Sequence, residues 1–130
     1  ANSLGVKRHC SEAPYDEIHR IYQNSAAIVL PSKYEGFSLV WLEAMASGRP
    51  MFSTPVGDGP ALFEQAYGKN AEDFLFNSEE ELIKKLTNYL KDPLKHRKTI
   101  ERAEYIVKEE YSWENVARLT LNAYQDSLTR

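Results

Sequence analysis

Two carboxylates eight residues apart, Glu35 and Glu43, stand in the stretch "PSKYEGFSLVWLEAMASGRPMF" (Pro31 to Phe52). Glu43 is the odd one, because "LVWLEAMA" reads as a buried helix. Its neighbours three and four residues away are Leu39, Val40, Ala46 and Ser47. An unpaired carboxylate in such surroundings costs several kcal/mol or takes up a proton, so Glu43 needs hydrogen-bond donors. A pair of ligand hydroxyls would supply them. Glu35 lies in the preceding loop and is expected to point into the same crevice, nearer a reacting group. Between them, "EGFS" leads into the helix, whose first N–H groups have no intrahelical acceptor and favour an anion. Gly36 lets backbone approach a ligand closely. Gly36, Phe37, Ser38 and Leu39 are thus the natural hosts of a phosphate or diphosphate. Blander roles exist for both carboxylates: Glu43 could pair with Arg49 or face solvent, and Glu35 could complement a helix dipole.

The elements that must hold these residues follow from the pattern around them. "AAIVLPS" is a compact apolar run ended by proline, which suits a parallel strand buried on both faces. A helix of about ten residues is expected from Ser38, with Gly48 as its C-terminal cap. "RPMFST" is the next buried strand, followed by the loop "PVGDGP", a short helix through "ALFEQAYG" and a last strand in "EDFLF". Upstream, "VKRHC" (Val6 to Cys10) is a candidate strand. "YDEIHRIYQNS" places Ile18, Ile21 and Tyr22 at helical spacing.

Three helices close the chain. Ser78 with Glu81 forms a capping box, Asp92-Pro93 supplies a cap and a first-turn proline, and Ser112 opens the last helix. Trp113, Val116, Ala117, Tyr124 and Leu128 share one face of that helix, and Tyr89, Trp113 and Tyr124 are expected in the core. The fold class is α/β: a partial Rossmann-like parallel sheet of about four strands, flanked by helices and ending in three helices. The Gly-rich first strand–turn–helix of a doubly wound sheet has no counterpart in this chain.

The chain has 130 residues, a single domain's worth, with a formal net charge of −3. That balance makes no broad call on nucleic acid, and the basic run "LKHRKTIER" lacks the interleaved aromatics that stack on bases. No transmembrane segment is expected, and one cysteine, Cys10, cannot close an internal disulfide. The three histidines, His9, His19 and His96, form no dyad in the sequence, and no set of residues has metal-ligand spacing. Asp58 is expected to cap the helix that follows it, and Trp41 to be packing.

The longer string "PSKYEGFSLVWLEAMASGRPMFSTPVGDGP" resembles the Glu–x7–Glu signature of retaining glycosyltransferases of the GT-B fold, family 4 and its relatives. The matching positions are Pro31-Ser32, Glu35-Gly36-Phe37, Leu42-Glu43-Ala44-Met45-Ala46, Gly48, Pro50 and Val56-Gly57. The resemblance runs more weakly through "KNAEDFLF" and "YSWENVARLTLNAY". It implies that the chain is the later part of a GT-B C-terminal domain, in which Glu43 binds the ribose hydroxyls of a nucleotide-sugar donor. It also implies that Glu35 lies beside the donor sugar and the leaving phosphate as the catalytic-site carboxylate. The backbone from Gly36 to Leu39 would then hydrogen-bond sugar and diphosphate. Metal and cofactor are expected to be absent, the donor nucleotide sugar being a substrate.

Departures from the pattern are informative. "VGDGPA" (Val56 to Ala61) replaces the frequent "VGGIPE", which leaves that loop's ligand contact open, and Ser38 stands where glycine is common. The acceptor-binding N-terminal domain of such enzymes and their Arg/Lys pair for the donor phosphates have no counterpart here.

The resemblance thus implies a hexosyltransferase fragment, inactive alone and completed by an N-terminal domain or a partner chain. Polysaccharide biosynthesis in the cytoplasm, or at the cytoplasmic face of a membrane, is the expected setting. Self-association through an exposed sheet edge is also expected. Donor choice would rest partly on Tyr34 and Phe37. The alternative is a non-enzymatic interaction or regulatory module on a degenerate glycosyltransferase fold. An unrelated flavodoxin-like phosphate binder is a third.

Overall fold

The computed structural model describes residues 12–129, so the strand expected over Val6 to Cys10 lies outside the described residues. A 3-10 turn at Tyr15–Glu17 enters α1 (Ile18–Gln23). Then follow β1 (Ile28–Leu30), α2 (Leu39–Ala46), β2 (Met51–Ser53) and α3 (Gly59–Tyr67). A 3-10 turn at Gly68–Asp73 leads to α4 (Glu79–Lys91), and another at Pro93–His96 leads to α5 (Arg97–Glu110) and α6 (Trp113–Leu128).

β1 and β2 pair in parallel with Ile28 opposite Met51, Val29 opposite Phe52 and Leu30 opposite Ser53. Parallel neighbours need a crossover, and α2 supplies it. Among the described residues two strands are found where three of the expected four would lie. "EDFLF" contributes a single parallel bridge, Leu75 to Ser53, because the preceding 3-10 turn consumes its first residues. Ser53 N–H donates to Phe74 O and Phe76 N–H donates to Ser53 O, both at 3.0 Å. Pro50 and Pro55 bracket β2 and keep it short. β2 is fully buried, whereas β1 is only half-buried, with Val29 36% exposed, so the expectation of burial on both faces fails for β1.

The core gathers on β2. Trp41, Met45, Met51, Phe52, Phe63 and Phe74 are all buried. Tyr67 stacks on Phe74 with ring centroids 4.1 Å apart, and its hydroxyl accepts from Met51 N–H at 3.0 Å. Burial pushes the Tyr67 phenol far up, so it stays protonated. Trp41 is packing, as expected, and its indole N–H donates to Ser53 Oγ at 2.9 Å. α2 is shorter than expected and ends as predicted. Gly48 has φ +67, its N–H donates to Met45 O, and Arg49 N–H donates to Ala44 O, which together form a Schellman motif.

The helical tail differs more. Ser78 and Ser112 cap α4 and α6 through their side chains, as their positions predict. Asp92 makes no side-chain cap bond, and Pro93 opens a 3-10 turn before α5. α5 buries Thr99, Ala103 and Val107, one stripe at i, i+4 and i+8. α6 buries nothing: Trp113 is 85% exposed and Tyr124 66%. The expectation that both lie in the core is therefore corrected. An amphipathic pattern establishes a face but not its cover, and among the described elements α6 packs chiefly on α5. Tyr89 alone of the three packs on the core, edge-on to Phe52.

Candidate functional site

The loop after β1 carries Glu35 to the C-terminal edge of the strands, where open parallel sheets bind ligands. Ser32 Oγ donates to Glu35 Oε1 at 2.9 Å, and Thr54, just past β2, donates through its hydroxyl to Ser32 O. Both strand ends thereby hold the loop. A second brace comes from the "VGDG" turn. Asp58 N–H donates to Gly36 O at 2.9 Å, and Gly57 adopts φ +53 against the loop. A β-carbon on Gly57 would sit 2.2 Å from Glu35 O and 2.3 Å from Gly36 O, so only glycine fits. Asp58 stands at the N-cap of α3 without a side-chain bond, so its expected capping role is corrected: it works here through its backbone.

Phe37 is held between aromatic rings. It stacks on Tyr111 at 5.9 Å and meets Trp41 edge-on at 6.0 Å. Its side chain, 41% exposed, props the loop against these two rings. Ser38 is buried at the N-cap of α2 with extended backbone and makes no side-chain cap bond. Among the described residues, no acceptor receives the N–H groups of Gly36, Phe37, Ser38 or Leu39. This row of free donors at a helix entrance suits an anion.

Glu43 lies one turn into α2, half-buried. Its Oε2 accepts from the Tyr22 phenol at 2.9 Å, and Ser47 Oγ donates to Glu43 O at 2.7 Å. Arg49 does not pair with it: the guanidinium donates to Gln23 O instead. Burial, then the Glu43 hydrogen bond and charge, push the Tyr22 phenol up to about 12. The two glutamates do not share one cavity. Glu43 lines a space of about 540 Å³ with Tyr15, His19, Tyr22 and Lys108, among others. Glu35 lines an open space of about 560 Å³ with Lys33, Tyr34, Gly36, Val56 and Gly57.

The sequence reading missed Tyr22, for which no local spacing rule exists, and the wedge role of Gly57, whose glycine type was the available signal. His19 joins the Glu43 cavity, while His96 packs against Phe74. No group of three or more potential metal ligands occurs among the described residues. No described helix is long and apolar enough to cross a membrane.

A parallel sheet carrying a ligand loop at its C-terminal edge is shared by many proteins, and the sequence narrows the class. The chain belongs to the glycosyl transferases group 1 family, whose model matches residues 2–106. It is 32% identical over 130 residues to a D-inositol 3-phosphate glycosyltransferase of Corynebacterium urealyticum, covering 96% of this chain and 30% of that protein. It is 29% identical over 116 residues to an uncharacterized glycosyltransferase of Methanocaldococcus jannaschii, covering 85% of this chain and 28% of the relative. The chain thus spans less than a third of either relative. Among solved structures, a sucrose-phosphate synthase from Thermosynechococcus elongatus matches with a TM-score of 0.70 at 26% identity, over 84% of this chain and 27% of that one. The architecture is that of a Rossmann-like, C-terminal GT-B fragment.

Proposed function

We propose that this chain is the donor-binding C-terminal part of a retaining, nucleotide-sugar-dependent glycosyltransferase. The observation that carries the reading is Glu43: a half-buried carboxylate whose hydrogen-bond donor among the described residues is one neutral phenol. It stands on the helix whose entrance presents four unpaired N–H groups. A nucleoside diphosphate matches both, its ribose hydroxyls donating to Glu43 and its phosphates accepting from Gly36 through Leu39. Glu35, fixed by Ser32, would orient the hydroxyls of the donor sugar. Backbone donors would stabilise the departing diphosphate as its charge develops.

In the reaction, the bond from the anomeric carbon to the diphosphate breaks and a bond to an acceptor hydroxyl oxygen forms with retention. The acceptor proton leaves with the diphosphate. The transferred group is a hexosyl unit, no metal or cofactor takes part, and Tyr34, exposed beside Glu35, contributes to its selection. The chain spans 28–30% of those relatives, and the acceptor site is assigned to an N-terminal domain or partner chain outside these residues. The 130-residue chain by itself is expected to bind donor without turning it over.

Amide NMR titration of the labelled chain with UDP, GDP, ADP and their sugars tests the assignment. Shifts centred on Gly36 to Glu43 and lost in Glu43→Ala are expected, at about millimolar affinity or ~4 kcal/mol. Absence of shifts with every nucleotide, or shifts remote from α2, would favour the non-enzymatic module. Turnover by the purified chain would refute its inactivity.

A further inference from the structure

Tyr22 belongs to α1, a different helix from Glu43, yet its phenol reaches Glu43 Oε2 at 2.9 Å. A carboxylate offers about four lone-pair positions, and the phenol occupies one of them. None of the three ion pairs among the described residues includes Glu43, and Lys108, in the same cavity, pairs with Glu104 instead. The charge of Glu43 is therefore not neutralised by a cation but held in place by a neutral donor. A glutamate side chain has three torsions, and fixing one oxygen selects the plane in which the remaining lone pairs point. Two adjacent hydroxyls can be met together only if that plane is right, which makes orientation part of recognition.

We propose that Tyr22 is a positioning residue that holds Glu43 Oε2 so that the free acceptor positions of the carboxylate meet the vicinal hydroxyls of a ribose. It thereby sets the preference of the site for a ribonucleotide over its 2′-deoxy counterpart. The inference rests on the reading of Glu43 as the acceptor of ribose hydroxyls. No charged neighbour among the described residues competes for the Tyr22–Glu43 bond. Among the charged and titratable groups around it, Asp16, His19 and Lys108 line the cavity without bonding to either partner, and Tyr15 is 81% exposed at its rim. The phenol itself, pushed up to about 12 first by burial and then by its bond to Glu43, keeps its proton and donates across the physiological range.

The test compares UDP, GDP and ADP with their 2′-deoxy forms by NMR titration of wild type, Tyr22→Phe, Glu43→Gln and the double variant. Wild type is expected to prefer the ribose form of the nucleotide it binds by about tenfold, the equivalent of ~1.4 kcal/mol. Tyr22→Phe should reduce that preference to about twofold, with 2′-deoxynucleotide affinity nearly unchanged. In the Glu43→Gln background the same change should have no further effect on the preference. A Tyr22→Phe chain that keeps the full preference, that fails to fold, or that costs the same in the Glu43→Gln background makes Tyr22 a packing residue and overturns the proposal. A wild type that binds nucleotide without preferring ribose, or binds none, refutes the ribose reading of Glu43 itself.

Discussion

Gly57→Ala is the sharpest single perturbation of the loop that carries Glu35. The added β-carbon would be 2.2 Å from Glu35 O and 2.3 Å from Gly36 O, both backbone atoms that cannot rotate away. A non-glycine residue at φ +53 also costs about 1–2 kcal/mol from its own backbone. Relieving the overlap by shifting the loop adds about 1–3 kcal/mol, as overpacking does elsewhere. The sum, about 2–5 kcal/mol, is a large part of the ~5–15 kcal/mol that stabilises a typical domain. For 130 residues each kcal/mol moves the melting temperature by about 4 °C, so a drop of ~8–20 °C is expected. Urea titration and thermal melting followed by circular dichroism would measure it. Gly36→Ala is the internal control. Nothing lies within 4 Å of a β-carbon there, and its φ is not positive, so stability should change by less than about 0.5 kcal/mol. Equal, small effects of the two substitutions would refute the close approach of the "VGDG" turn to the loop.

Further outcomes follow from the packing and the caps. Trp41→Phe removes a fully buried indole and its bond to Ser53, and should cost about 1–3 kcal/mol in urea titration, whereas Trp113→Ala should lie within about 0.5 kcal/mol. Ser78→Ala deletes the acceptor of Glu81 N–H and should destabilise by about 1 kcal/mol in the same measurement. The Glu81 carboxyl is drawn down to about 2, first by its hydrogen bond to Lys85 and then by Asn77 N–H. A depressed carboxyl contributes stability above its ordinary pKa of 4.5 and loses it as pH falls toward 2. Stability measured across that window should therefore fall less steeply in Glu81→Gln than in wild type. Tyr22 has the opposite sense: its raised phenol contributes below pH 10 and loses that contribution toward pH 12, a decline that Tyr22→Phe should flatten.

What could be read in the sequence was whatever short-range chemistry dictates. Gly48 ends α2 because one position there requires a left-handed backbone, and Ser78 and Ser112 cap because their hydroxyls reach an amide three residues on. β1, β2 and the loop between β1 and α2 followed from an apolar run, two prolines and a Gly-Phe turn. The remainder depends on partners far along the chain. Tyr22 reaches Glu43 across 21 positions, and Arg49, the alternative partner for Glu43, turns to Gln23 O instead. "EDFLF" has strand-forming residues, yet a 3-10 turn left it only one bridge. Trp113 and Tyr124 have the periodicity of a buried face, but periodicity carries no information on whether anything lies opposite. The sequence offers the candidate residues only as a list. Their division into two cavities is not legible there, because that division is set by which helix faces which.

The stack of Phe37 on Tyr111 ties the end of the loop that carries Glu35 to the far end of α5. Tyr111 is further anchored by its hydroxyl, which donates to Gln65 Oε1 on α3 at 2.9 Å. It lies beyond residue 106, where the family match ends, so the smallest piece able to keep the loop in shape is longer than the piece that identifies the family. Trimming to the recognisable segment would leave Glu35, Gly36 and Glu43 all present while removing the ring on which Phe37 rests. Inheritance of the motif and inheritance of its footing are thus separable. A chimera that grafts "PSKYEGFSLVWLEAMASG" onto a new scaffold would have to bring an aromatic floor with it.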